Sequence, residues 1–372
     1  MQNTTPNLFS FATSELSQDA FFLWLLSWAS PSCMALDESL HHCAKSFLSL
    51  LFDKCGKLCP PIQSLNLLKQ HHNIDILCVI NEQFYIIIED KTTTKDHSDQ
   101  LERYAATVSD KHGIKDENIL KFYLKTHDQS NYHQIREKGY TPVTRKDILP
   151  LLLKCDTSNQ ILRDYRDHLS NIEASCQQYL MIGQDSPLWQ KDNHNTWIGF
   201  YQDIQARMLN DGLIDASSYD ATDSFKSHWD KVNSPAKAFM AFFWGTLELY
   251  DEEGPNGCIF LQLEHDKFAF KTGWASRNTR DQHLKIHRAL CAHSPVAFGD
   301  EEHFHIVKPA KMRLSGASAT VAIIEGGYMK FNEHDRLDMD KTYECIKAAT
   351  QYLNRINLKL LRTTAKAKRH IN

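Results

Sequence analysis

Residues 73–104 read NIDILCVINEQFYIIIEDKTTTKDHSDQLERY. Ile74, Ile76 and Val79 lie in a first β-forming run, and Phe84, Tyr85, Ile86, Ile87 and Ile88 make a second. Asn81, Glu82 and Gln83 separate them, so two strands joined by a short loop are expected. The second run is apolar at successive positions, as in a strand covered on both faces. Asp75, Glu89 and Lys91 are ionisable residues where a core strand should carry none.

A hairpin centred on Glu82 pairs residues whose numbers sum to 164, which sets Asp75 opposite Glu89. Cβ atoms of directly opposed residues lie roughly 4.5–5.5 Å apart. Glu89 and Lys91 are two positions apart and share a face. The three side chains therefore converge at the hairpin's end, provided the register holds, because a slip of one residue reverses the faces. Two carboxylates so close invite a cation. Hard oxygen donors suit Mg²⁺ or Mn²⁺, and a neighbouring ammonium can hold a water or stabilise charge on a phosphate.

Asp75 followed, after a hairpin, by Glu89-Asp90-Lys91 resembles the PD-(D/E)XK nuclease superfamily, although Ile74 stands where the family name has proline. Gln100-Leu101-Glu102-Arg103-Tyr104 is similar to the QxxxY signature of its RecB-like branch. Glu15-Leu16-Ser17, ahead of an apolar helix, resembles members whose first helix supplies an acidic residue. The resemblance covers roughly residues 12–150. It implies that Asp75 and Glu89 bind the divalent metal, that the Asp90 main-chain carbonyl and Glu15 add ligands, and that Lys91 assists the attacking water. Gln100 and Tyr104 would support the site or contact nucleic acid.

Composition narrows the class without naming it. The chain has 372 residues, 42% hydrophobic and 24% charged, with a formal net charge of -4. This is ordinary globular usage, with enough length for two domains. A nucleic-acid enzyme with this balance must concentrate its positive charge locally. No apolar run reaches the length of a membrane span, and the first residues lack a signal-peptide pattern. Ten cysteines are scattered without a disulfide or zinc framework, as expected of reduced thiols in a cytoplasmic protein.

The expected fold is α/β. A restriction-endonuclease-like central mixed sheet flanked by helices occupies residues 1–182, and an α+β domain occupies residues 183–372. In the first, an apolar helix around Phe21 to Leu26, with Ser14 or Ser17 as its cap, and a second helix around Leu36 to Leu51 precede a strand from Ser64 to Gln70 and the hairpin. A crossover helix carrying Leu101, Ala105 and Val108 leads to a parallel strand from Ile119 to Leu124. Helices are expected over Ile148–Leu153 and Ile161–Leu180. In the second, a helix over Trp197–Leu209 precedes strands over Ala238–Tyr250, Cys258–Glu264 and Phe268–Thr272. A helix over Arg280–Ala292 follows. Strands are then expected over Phe304–Val307, Ala317–Ile324 and Tyr328–Phe331, the last two joined at Gly326-Gly327, before a final helix from Lys341.

His283 and His287 are four apart on the expected helix, and His303 and His305 share a strand face. They lack the glutamate of a zinc-protease helix and read as surface or satisfied core histidines. The basic end, with Lys359, Arg362, Lys366, Lys368 and Arg369, reads as a solvated tail that would add only phosphate contacts. Trp244, Trp274 and Tyr328 are candidates for stacking bases, with core packing the simpler role. These features together point to a metal-dependent nuclease acting on DNA, with RNA not excluded and defence against foreign DNA as a family-level context. A homodimer or a protein partner stays open. The rival is a nucleic-acid-binding or interaction protein on a nuclease fold, without turnover.

Overall fold

The strand Phe84–Lys91 lies at the centre of a five-stranded sheet, and Ile86, Ile87 and Ile88 are fully buried although they alternate between its faces. The computed structural model describes residues 6–71, 74–92, 114–189, 193–214, 227–232, 239–251, 254–273, 279–312 and 318–366. The chain divides into two compact units, Met1–Ala174 and Ser175–Asn372.

In the first unit the strands β1 (Leu65–His71), β2 (Ile74–Ile80), β3 (Phe84–Lys91), β4 (Ile119–Lys125) and β5 (Thr141–Thr144) lie in chain order across the sheet. β1, β2 and β3 pair antiparallel, whereas β3, β4 and β5 pair parallel, so the sheet is mixed. Parallel pairing of β3 with β4 demands a crossover. The helix expected there, with Leu101, Ala105 and Val108, lies outside the described residues. The β2–β3 turn works without glycine. Asn81 and Glu82 both hold positive φ, 54° and 58°, and Gln83 N donates to Ile80 O (3.0 Å). The Asn81 side chain offsets that strain by accepting from Gln63 N and Ser64 N and donating to Pro61 O, which ties the turn to the segment entering β1.

The helices of this unit begin where their caps place them. α1 (Glu15–Ser27) starts after Ser14, whose hydroxyl accepts from Ser17 N; α2 (Glu38–Lys54) starts after Asp37, which accepts from Leu40 N. After the short α3 (His133–Glu137), α4 (Arg145–Leu153) opens on a capping box between Thr144 and Asp147. α5 (Gln160–Gln177) follows. Phe21, Phe22, Leu25 and Leu26 bury α1. It packs on β1, β2 and β3 and so delivers its first turns to the sheet's charged end.

The second unit is built on a six-stranded antiparallel sheet of order β12-β13-β9-β8-β7-β6. Its strands are β6 (His228–Val232), β7 (Phe239–Asp251), β8 (Gly254–Glu264), β9 (Lys267–Gly273), β12 (Ile306–Val307) and β13 (Ser318–Ile324), and β10 (Val296–Phe298) pairs separately with β11 (Glu302–Phe304). Three helices, α6 (His194–Asn210), α7 (Thr279–Cys291) and α8 (Met339–Lys366), supply much of the remaining core. β6 escaped sequence reading, and the strand expected over Phe304–Val307 divides into β11 and β12. Tyr328–Phe331 does not form the expected hairpin strand. Gly326 and Gly327 both take positive φ, Lys330 N donates to Thr342 Oγ1 (2.9 Å), and Asp338 N donates to Lys330 O (2.8 Å). The segment's backbone groups are thus spent on the start of α8, while Ile324 pairs with Ile306.

Candidate active site

The hairpin register is Ile76 opposite Ile88 through to Ile80 opposite Phe84, each pair summing to 164. One step beyond, Asp75 lies across from Glu89. Asp75 Oδ2 accepts from Asp90 N (2.9 Å), which fixes its carboxylate against the β3 backbone. Lys91 Nζ donates to Glu89 Oε1 (2.6 Å) and to the Asp90 carbonyl (3.0 Å), and lies 3.8 Å from Glu15 Oε2 and 3.9 Å from Asp75 Oδ2. Glu15, the first residue of α1, also accepts from Thr92 N (3.3 Å) through Oε1. Alternation along β3 explains the gathering, since Glu89 and Lys91 project from one face while Asp90 offers its backbone to the same side. Gln100 and Tyr104 lie outside the described residues.

The electrostatics follow from burial. Glu89 is 2% exposed, and desolvation, with Asp75 alongside, pushes its carboxyl up to about 7. Burial also raises Asp75 despite the hydrogen bond from Asp90 N and the attraction of Lys91. For Lys91 burial acts downward, but Glu89, Asp75 and Glu15 outweigh it and hold the ammonium above its ordinary range. Glu89 Oε2 is buried without a donor. The Asp75 carboxyl is its neighbour, and a single proton or a cation would satisfy both.

Asp90 presents a different environment on the opposite face. Its side chain is fully buried, accepts from Gln18 Nε2 and faces Asp19, itself 1% exposed. Burial raises both carboxyls, Asp19 to about 6 and Asp90 well above the ordinary range, which favours a proton shared within the pair; Asp19 Oδ1 and Asp90 Oδ2 are buried without a partner. Gln18 Oε1 accepts from Thr126 Oγ1 (2.6 Å) and Tyr165 Oη (3.1 Å). Arg145, 1% exposed, extends the network by donating to Thr126 O (2.7 Å), Asp128 Oδ2 (2.6 Å) and Glu173 Oε2 (2.8 Å). Sequence reading missed this network. Its one local signal is the polar pair Gln18-Asp19 ahead of the apolar run of α1.

Four oxygens, from Glu15, Asp75, Glu89 and the Asp90 carbonyl, surround a single ammonium. Three carboxylates against one cation leave excess negative charge, and the donor set is entirely hard oxygen, which fits Mg²⁺ or Mn²⁺. Among the described residues no group of three or more His, Cys, Asp or Glu side chains forms a ready-made metal cage; here the oxygens are gathered around Lys91. The C-terminal histidines are engaged elsewhere. His283 bonds Thr272 Oγ1 (3.0 Å), His287 bonds Val321 O (2.9 Å), and His303 and His305 are exposed.

Residues 65–190 match the family model of the PD-(D/E)XK nuclease superfamily. Over this span the chain is similar to that superfamily. The matched span is roughly a third of the sequence and contains Asp75, Glu89, Asp90 and Lys91, whereas Glu15 lies before it. The mixed five-stranded sheet flanked by helices is the restriction-endonuclease-like arrangement of PD-(D/E)XK enzymes. No curated protein and no solved structure matches the chain. Among the described residues no helix is long and apolar enough to cross a membrane.

Proposed function

We propose that this PD-(D/E)XK protein is a Mg²⁺- or Mn²⁺-dependent nuclease that hydrolyses phosphodiester bonds in DNA. The observation that carries the reading is the convergence of Glu15, Asp75, Glu89 and the Asp90 carbonyl on Lys91 at the end of β3. Asp75, Glu89 and the Asp90 carbonyl would hold the cation, with Glu15 adding a ligand from α1. A divalent ion bound there supplies Lewis-acid polarisation of the phosphoryl group and a more acidic water. Asp90 N keeps the Asp75 carboxylate turned toward that position. Lys91, fully charged, orients the attacking water and stabilises negative charge on the phosphoryl oxygens as the bond to the leaving sugar oxygen breaks. By family resemblance Gln100 and Tyr104 would support the site or contact nucleic acid.

The second unit is proposed as a substrate- or partner-binding module. Ten free thiols accord with a reducing, cytoplasmic setting, and defence against foreign DNA is a pathway-level reading by analogy. Cleavage of plasmid and linear DNA with Mg²⁺ or Mn²⁺ tests the proposal, with wild type compared against folded Lys91→Ala. Metal-dependent cutting that disappears in the variant is expected. Equal cutting by both proteins would sink the assignment of the centre. No cutting of duplex DNA, single strands or RNA would favour the binding protein without turnover.

A further inference from the structure

The second unit holds a cleft of about 760 Å³ that the nuclease reading does not use. Its floor is aromatic. Trp197 is 1% exposed, and Trp189 packs on it with ring centroids 4.9 Å apart and planes at 52°. The Trp189 indole N–H is already spent on Gly183 O (3.0 Å), so what this half-buried ring offers a ligand is π surface. Met329 and Phe331 extend the apolar wall.

The cleft is also pre-shaped. His265, 4% exposed, sits beside Trp197 with ring centroids 5.0 Å apart. Its φ of 53° is left-handed, uncommon for a residue with a side chain. Two buried tyrosines hold that conformation: His265 N donates to Tyr201 Oη (3.2 Å), and Tyr328 Oη donates to His265 O (2.6 Å). Gly326 and Gly327 form part of the lining, and a Cβ at Gly327 would stand 3.1 Å from the Asp266 carbonyl. A side chain there would both strain the turn and crowd the opening. His265 and Asp266 form the two-residue turn between β8 and β9, where the hairpin itself calls for a positive φ, so the turn presents Asp266 and Lys267 to the cleft in a fixed frame.

The polar groups decide the ligand's chemistry. Asp185 and Asp266 offer carboxylate acceptors, while Gln184 and Lys267 add donors, and all four are exposed. Two carboxylates against one ammonium disfavour a phosphate. A flat heteroaromatic ring stacks on tryptophan whatever its sequence identity, and carboxylates accept from exocyclic amino groups. Pockets of this size hold small ligands whose orientation is fixed by a few polar groups. We infer that this cleft binds an unstacked nucleobase bearing an exocyclic amino group, with its sugar-phosphate left outside. The inference stands whether or not the first unit cleaves DNA.

The test is calorimetric titration of the full chain with cytidine, adenosine, guanosine and uridine, without divalent metal so that cleavage plays no part. Amino-bearing nucleosides should bind roughly tenfold or more tightly than uridine. Trp189→Ala should weaken all of them by roughly tenfold or more, the size of one lost stacking partner. Asp185→Ala combined with Asp266→Ala, exposed substitutions that leave the core intact, should erase the preference for amino-bearing bases while keeping residual stacking. Absence of binding by any nucleoside at millimolar concentration overturns the inference. So does tighter binding of the 5′-monophosphates, which the charge balance forbids. Tetramethylammonium binding in place of nucleosides would reassign the cleft to organic cations and equally overturn it.

Discussion

Glu89 and Asp90 are neighbours on one strand, both buried, each beside a second carboxyl, and their surroundings make opposite use of that arrangement. On the Glu89 face an ammonium lies 2.6 Å away, Asp75 is partly exposed, and one carboxylate oxygen has no donor. On the Asp90 face no ammonium bonds the carboxyl: the Gln18 amide, itself held by a hydroxyl and a phenol, donates to one oxygen, while Asp90 Oδ2 and Asp19 Oδ1 are buried without a partner, so the pair is suited to sharing a proton. The first face can exchange a proton or take up a cation. The second is sealed from solvent, and it fixes the strand whose backbone serves the first.

The same neutralising, isosteric change should therefore have contrary results at adjacent positions. Glu89→Gln removes a charge from the open face and should lower DNA cleavage by on the order of 10²–10³-fold or more, the scale of losing a key electrostatic group. Asp90→Asn mimics the protonated acid, with its amide donating to Asp19 and its carbonyl accepting from Gln18. It should leave cleavage within a few-fold and stability within about 1 kcal/mol. Cleavage rates of the two purified variants decide the matter. A collapse of activity in Asp90→Asn would show that Asp90 works as an ionised group, and the contrast between the faces would be lost.

Stability should be more sensitive on the closed side. Arg145 bonds both Asp128 and Glu173. Arg145→Met removes a buried guanidinium from two partly solvated carboxylates, which should cost less than the roughly 3–5 kcal/mol of a fully buried broken pair, on the order of 2 kcal/mol. Urea unfolding of the full chain should show it as a shift confined to one transition. Gln18→Leu is comparable. It strands Asp90, Thr126 and Tyr165 as unmatched polar groups, which should cost about 1–3 kcal/mol and slow cleavage through a displaced β3 backbone. If the variant loses activity with no change in unfolding, Gln18 acts on substrate rather than on the strand.

The open face was legible in the sequence and the closed face was not, for a physical reason. Asp75, Glu89 and Lys91 lie within one hairpin, where pairing at a sum of 164 follows from a three-residue turn. Asn81 and Glu82 hold that turn at positive φ even though neither is glycine. Gln18 meets Asp90 across 72 positions, Thr126 across 108 and Tyr165 across 147. No local periodicity reports such contacts, and α1 read simply as apolar. The Tyr328–Phe331 segment failed in the opposite way: its composition suits a strand, but Thr342 and Asp338 take its backbone hydrogen bonds.

A pH dependence should also belong to the open face. Glu89 titrates near 7 in the folded chain against an ordinary 4.5. The folded state therefore holds this proton more tightly than the unfolded one. Its contribution to stability is complete below about 4.5 and is lost as pH rises toward 7, the direction set by linkage. Melting temperatures of the metal-free protein should fall across that window. Glu89→Gln, which cannot ionise, should flatten the fall. Mg²⁺ or Mn²⁺, by favouring the ionised carboxylate, should reduce it in the wild type and leave the variant unchanged. Asp19, raised to about 6 on the closed face, adds a component of the same sign that neither the metal nor Glu89→Gln removes. A slope that survives Glu89→Gln intact would remove Glu89 as its source and assign the dependence to the other raised carboxyls, Asp75 and the Asp19–Asp90 pair.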